Sequence, residues 1–232
     1  VLAMEALVAV VATDNPLPHA RTSDLAAALL GEAGNWQAMG GPDMPIVLHG
    51  LAPEVALSGA IAARLGRPVP AAVIHPDATA LALAVARDPW ALALTGLSGA
   101  SPARRLPLTD SCDYPLPVSP LAVKAEDYPL AAPLYLLTAR RRLPLMAREF
   151  MEYLATDAAQ AVVEGAGYID RRPTRAPLTG DGARLLGAIR NAGPEVSLAE
   201  LQRLADAMTG GERLSLTFRF EDGSSQLDAH SR

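Results

Sequence analysis

The run SDLAAALLGEAGNWQAMGGPDMPIVLHG, Ser23 to Gly50, constrains the fold of this chain more than any other stretch. Asp24–Leu30 is Ala- and Leu-rich and reads as a short helix. Thr22 or Ser23 is placed to cap it, and Gly31 and Gly34 are placed to end it. An Asn35-Trp36 pair follows, then a Gly40-Gly41-Pro42-Asp43 turn and the extended run Pro45–His49. Trp36 offers a large apolar face that pins such a turn against a sheet. Helix, turn and strand in this order form an α/β crossover.

The same alternation continues along the chain. Ala6–Ala12 reads as a buried strand closed by Asn15-Pro16, because the residue before a proline avoids the helical region. Pro53 suits the first turn of a helix running to Leu65, and Asp77 is placed to cap another over Ala78–Arg87. Asp88-Pro89 stops that helix, and Trp90–Thr95 follows as a strand. The Pro-rich stretch Ala103–Ala132 reads as loop and edge strand. Pro144 opens a helix with apolar Met146, Phe150 and Leu154 at four-residue spacing. Thr156 or Asp157 caps the next, which Gly165 and Gly167 end. Beyond a linker at Arg171–Asp181, two amphipathic helices are expected over Gly182–Asn191 and Leu198–Met208, the second capped by Ser197. The alternation of Leu214, Leu216, Phe218 and Phe220 then predicts a strand with one buried face.

Composition narrows the function classes. The 232 residues carry a net charge of −5, and Lys124 is the only lysine. The arginine pairs at Arg104–Arg105 and Arg140–Arg142 are too short to track a phosphate backbone, so no nucleic-acid partner is expected. Half the chain is hydrophobic but only 4% is aromatic, so the core must be mostly Ala, Leu and Val. Cys112 is the single cysteine, which excludes an internal disulfide, and it has no neighbouring His to make it a nucleophile. The histidines His19, His49, His75 and His230 show no metal-ligand spacing. Nucleophile-elbow, dinucleotide and P-loop motifs do not occur. Asp110, Asp113, Glu126 and Asp127 read as a solvated face. Neither a catalytic residue, a cofactor nor a metal is therefore expected, and the chain reads as non-enzymatic.

Four phrases resemble the phosphate-binding receptors of bacterial ABC importers. "GEAGNWQAMGGPDMPIVLHG" resembles their G-x-x-x-N-W, x-x-x-G-G, P-I-x-L pattern, and "ARDPWALALTGLS" resembles their D-P-x-A-I-G-Y-x-G-L-S. "FMEYLATDAAQAVVEGAGY" resembles their closing F-x-x-F-x-x-S-x-x-G-Q-x-x-V-x-x-x-G-F, over a hundred residues from the first and in the same order. "AEDYPLAAPLYLLT" resembles their return strand to lobe one. "FEDGSSQLD" in turn resembles the opening of an OmpA-like peptidoglycan-binding domain.

These resemblances imply an α/β fold, a type 2 periplasmic-binding-protein-like lobe with a mixed sheet flanked by helices. They imply a receptor-like module over 1–170, a linker with two helices over 171–211, and the first strand of an OmpA-like domain over 212–232. The chain reads as a piece truncated at both ends, without a secretion signal, the leading half of lobe one or most of the OmpA-like domain. The implied setting is the periplasm or cell envelope of a Gram-negative bacterium. The implied partners are phosphate or another small oxyanion, peptidoglycan through the missing domain, and a second copy where apolar helix faces lack cover. The crossing strand Ala6–Ala12 and the return strand Leu134–Thr138 should lie side by side.

In that family, lobe two offers an anion an Arg and a Ser-Gly-Thr at a helix N-terminus, where free N–H groups and the helix dipole favour negative charge. An ungapped comparison puts Leu51 at the Arg position and Val55, Ala56 and Leu57 at Ser-Gly-Thr. A gapped one slides Ser58-Gly59-Ala60 into the motif, at the cost of a shorter helix and a displaced Ile61. The candidate ligand-binding residues are thus Ser58, Gly59, His49, Val55 and Ala56, with Glu54 as a further ionisable neighbour. The competing expectation is a diverged, ligand-free lobe acting as an envelope scaffold or interaction module.

Overall fold

A computed structural model describes residues 1–228 apart from 112, 140–141, 179–185, 188 and 191. Cys112, His230 and most of the helix expected over Gly182–Asn191 lie outside the described residues. The chain divides into two compact units. Val1–Val118 and Tyr128–Arg172 make the first; Ser119–Asp127 and Pro173–Arg232 make the second.

The first unit is built on β1 (Ala3–Val11), whose sequence AMEALVAVV is almost wholly buried. It continues through β2 (Ala20–Arg21), α1 (Thr22–Leu29), β3 (Val47–Leu51), α2 (Ala56–Leu65), β4 (Val73–His75), α3 (Ala78–Val85) and β5 (Ala91–Gly96). Short strands β6 (Arg104–Arg105), β7 (Leu108–Thr109) and β8 (Pro115–Leu116) follow. The sheet order is β4-β3-β5-β1-β6. β3 pairs parallel with β4 and β5, whereas β5 and β1 are antiparallel, so the sheet is mixed. The parallel pairs need crossovers, which α2 and α3 provide.

β1 changes partners along its length. Leu7–Val10 pairs with β5, while Ala3–Ala6 pairs antiparallel with β9 (Ala131–Leu134). The crossing and return strands are therefore adjacent, but the return strand is Ala131–Leu134 rather than Leu134–Thr138. Leu137, inside the expected span, is 90% exposed. Tyr128 fixes the approach to β9: its hydroxyl donates to the Leu7 carbonyl at 2.7 Å, and burial pushes its phenol pKa up. Beyond β9, α5 (Leu145–Leu154) follows Pro144, and α6 (Asp157–Gly165) is capped by Thr156, whose hydroxyl accepts from the Ala159 N–H.

Trp36 does what its sequence position suggests. Fully buried, it donates from Nε1 to the Trp90 carbonyl at 3.1 Å, tying the turn to the start of β5. Gly40 adopts φ +82, and a side chain at Gly41 would sit 3.0 Å from the Trp36 carbonyl oxygen. Neither Thr22 nor Ser23 caps α1, in contrast to the sequence expectation. The N-cap is Arg21, whose side chain pairs with Asp113 and caps nothing, and Ser23 donates to Asp24 instead. Pairing of β2 with β7 carries the extended backbone up to Arg21, so the helix starts at Thr22 itself. Pro53–Val55 form a turn, and α2 begins three residues later than Pro53.

The second unit is thin. α4 (Pro120–Lys124) is capped by Ser119. Polar bonds hold it to the C-terminal segment: Lys124 to Thr174 at 3.0 Å, Thr217 to the Ala125 carbonyl at 3.0 Å, and the ion pairs Arg213–Asp127 and Arg219–Glu126. β10 (Arg175–Pro177) pairs with β11 (Glu212–Leu214), and α7 (Leu198–Met208) carries a capping box formed by Ser197 and Glu200. The expected strand over Leu214–Phe220 is not formed beyond Leu214. Leu214, Leu216, Phe218 and Phe220 are all exposed, so there is no buried face. The physical reason is the lack of a partner: β10 offers three residues, and two short strands cannot cover an apolar row. Among the described residues no helix is long and apolar enough to cross a membrane.

Candidate functional site

Two cavities open around α2. The larger, about 590 Å³, is lined by Glu5, Ser98, Tyr135, Tyr168, the first residues of α2 (Ala56 and Leu57) and Ala78 at the start of α3, with other apolar side chains. The smaller, about 270 Å³, is lined by His49, Leu51, Ser58, Gly59, Ile61, Ile74 and others. The residues singled out in the sequence thus divide. Ala56 lines the larger cavity; His49, Ser58 and Gly59 line the smaller; Val55, the N-cap of α2, lines neither.

α2 begins without help from a side chain. Val55 is extended and offers no cap, and the Ser58 N–H closes on the Val55 carbonyl at 2.8 Å. The first N–H groups of a helix have no intrahelical acceptor. Ala56 and Leu57, which carry two of those N–H groups, line the larger cavity. The Ser58 hydroxyl is turned away, back toward the Leu51 carbonyl at 3.4 Å. Gly59 faces open space, so nothing there demands a glycine. Leu51, at the position where the resemblance implies an Arg, is buried in the wall of the smaller cavity.

His49 belongs to a chain of polar groups. Its Nδ1 lies 3.0 Å from Nε2 of His75, and its Nε2 lies 3.6 Å from the Asp88 carboxylate. The second distance is electrostatic rather than a hydrogen bond. Asp88 favours the proton on His49 Nε2, which leaves His49 Nδ1 to accept from His75 Nε2. Burial, reinforced by His75, holds the His49 pKa below its ordinary value against the opposing pull of Asp88. Among the described residues no three His, Cys, Asp or Glu side chains are grouped to hold a metal ion.

Sequence reasoning passed over Glu5 and Ser98. Glu5 sits inside the apolar run of β1, where it is only 5% exposed and opposite Ala132 of β9. Its carboxylate accepts from the Ser98 hydroxyl at 2.6 Å and from the Ser98 N–H at 3.2 Å. Gly96 makes room for it: a Cβ there would lie 2.7 Å from the Glu5 carboxyl carbon. The available signal was a lone charge in a buried strand, a residue type almost never buried without a partner.

No protein-family description matches the chain, and no curated protein matches it in sequence. Solved structures do match in fold. A receptor described as an ABC-type phosphate transport receptor from Vibrio cholerae superposes with TM-score 0.64 at 18% identity, over 73% of this chain and 71% of that one. A putative phosphate ABC transporter substrate-binding protein with bound phosphate, from Clostridium perfringens, gives 0.62 at 15% identity, over 74% and 70%. A possible phosphate binding protein from Planctomyces limnophilus gives 0.58 at 19% identity, over 89% of this chain and 71% of that one. The mixed sheet flanked by helices is therefore a type 2 periplasmic-binding-protein-like fold.

Proposed function

We propose that this chain is a non-enzymatic solute-binding module of a cell-envelope protein, seating the acidic group of a small solute at the N-terminus of α2. The observation that carries this reading is the uncapped start of α2 at the rim of the 590 Å³ cavity. Free N–H groups and the positive end of the helix dipole attract an anion there. The fold neighbours described above are named as phosphate receptors or phosphate-binding proteins, which supports phosphate or another small oxyanion as a ligand class. Two of them are named for ABC-type transport, which supports a role in transport and, with it, the periplasmic setting that is part of this proposal.

Affinity for a bare oxyanion is low. Charge-assisted hydrogen bonds contribute about 1.5–3 kcal/mol each. With Leu51 in place of an Arg and Val55–Leu57 in place of hydroxyl-bearing residues, several kcal/mol are missing, and about 1.4 kcal/mol is a factor of ten. Phosphate should therefore bind in the millimolar range, detected as shifts of the Ala56 and Leu57 amides in an NMR titration. Sub-micromolar affinity lost on Ser58→Ala would favour the gapped comparison. Silence of those amides at tens of millimolar would favour the second reading, a ligand-free scaffold, which the apolar residues at the helix start support.

The OmpA-like and peptidoglycan-binding assignment, and with it a Gram-negative envelope, rests on the phrase from Phe220 to Asp228. There Phe220 bridges Leu227 across a turn with Gly223 at φ +68. Co-sedimentation of the intact protein with purified peptidoglycan tests it. Self-association through exposed Met146, Phe150 and Val162 is tested by sedimentation equilibrium.

A further inference from the structure

We propose that the 590 Å³ cavity takes a small zwitterion, with its ammonium group against the Glu5 carboxylate and its acidic group at the N-terminus of α2. Seating of the acidic end rests on the anion seat proposed above. Recognition of the ammonium end stands on separate observations.

Glu5 is a buried carboxylate without a counter-charge. Its recorded partners are the hydroxyl and the N–H of Ser98, and among the described residues no Lys, Arg or His forms an ion pair with it. Ionised carboxylates removed from water demand such a partner. Glu5 also retains capacity, since a carboxylate accepts about four hydrogen bonds and Ser98 supplies two. Its position is held from both sides, by Ser98 and by the space that Gly96 leaves. The cavity it lines is about 590 Å³, within the range of organic-ligand sites and far larger than a tetrahedral anion needs. Tyr135 and Tyr168 also line the cavity, and aromatic rings attract a cationic head group.

A bare oxyanion entering this space meets a carboxylate of like charge. A zwitterion turns that repulsion into a contact while keeping the donors of α2, so one residue both rejects one ligand class and recruits another. Glu5 thereby sets specificity.

The test is an amide NMR titration of the intact protein with L-alanine, L-lactate and inorganic phosphate. Lactate keeps the size and carboxylate of alanine and replaces its ammonium by a hydroxyl. Alanine is expected to shift Ser98 together with Ala56 and Leu57, and to bind at least tenfold more tightly than lactate. In Glu5→Gln that preference should vanish, with lactate and phosphate bound as well or better. Equal binding of alanine and lactate by the wild-type protein overturns the inference, and this comparison stands whether or not the variant folds. Retention of the alanine preference in Glu5→Gln overturns it too, as does alanine shifting Ser98 without Ala56 and Leu57. If lactate and phosphate shift Ala56 and Leu57 while alanine binds no better, the zwitterion fails and the anion seat survives. If none of the three moves those amides, both fail.

Discussion

β1 and the segment Leu214–Phe220 are both apolar runs that read as strands, yet they end in opposite environments. β1 is enclosed, with β9 and then β5 along one course of the strand, β6 near its end, and Ile169 bridging Met4. Leu214–Phe220 pairs with a three-residue strand at its first residue and by a single bridge to Leu227 at its last, with no strand beside the residues between, so its apolar side chains remain exposed. The pattern of residues states a preference for burial, but only partners supply it. In the first unit the partners come from distant segments; in the second they do not come from the described chain.

That contrast can be broken by substitution. The largest effect is expected at Trp36→Ala, which removes a fully buried ring and the bond to the Trp90 carbonyl, for about 3–5 kcal/mol of stability by urea denaturation. A cost under about 1 kcal/mol would mean that the turn is not pinned. Next comes the paired comparison of Leu7→Ala and Phe218→Ala. Leu7 is wholly buried and should cost about 2–5 kcal/mol. Phe218 is 62% exposed and should stay within about 0.5 kcal/mol. Equal losses would show that Phe218 is covered in solution.

The smallest effect is expected from pH. The folded-state pKa of His49 lies below its ordinary value of 6.5. Around and below pH 6.5 the unfolded chain therefore takes up this proton before the folded one does. Stability attributable to His49 is full above that value and declines as pH falls toward the folded pKa. His75 and Asp88 face the ring and shape the slope. His49→Gln should flatten the decline in denaturation midpoint between pH 7 and 5. An unchanged slope would assign the decline to other groups.

What was legible in the sequence was local. Asp77, Thr156 and Ser197 cap their helices because each bonds to a backbone N–H three residues on. Pro144 marks the start of α5 for the same reason of proximity. The missed features were set at a distance. The start of α1 is decided by pairing of Ala20 with Leu108, and Glu5 finds its partner 93 residues away at Ser98. The candidate site was legible as the start of α2 but not as a cavity. Its walls come from β1, β9 and the segment after β5, and whether Ser58 points into it depends on the Leu51 carbonyl.

The hand-over of β1 between Ala6 and Leu7 makes that strand two rulers cut from one rod. Ala3–Ala6 is indexed against β9, and Leu7–Val10 is indexed against β5. Side chains alternate faces along a strand, so one residue inserted at the join would rotate one ruler by half a turn against the other. Each pairing could keep its own register only by losing its alignment with the next. Glu5 lies on one ruler and Gly96, which makes room for it, is read by the other. The carboxylate and its recess are therefore a vernier: they coincide at one setting of the chain and at no neighbouring one.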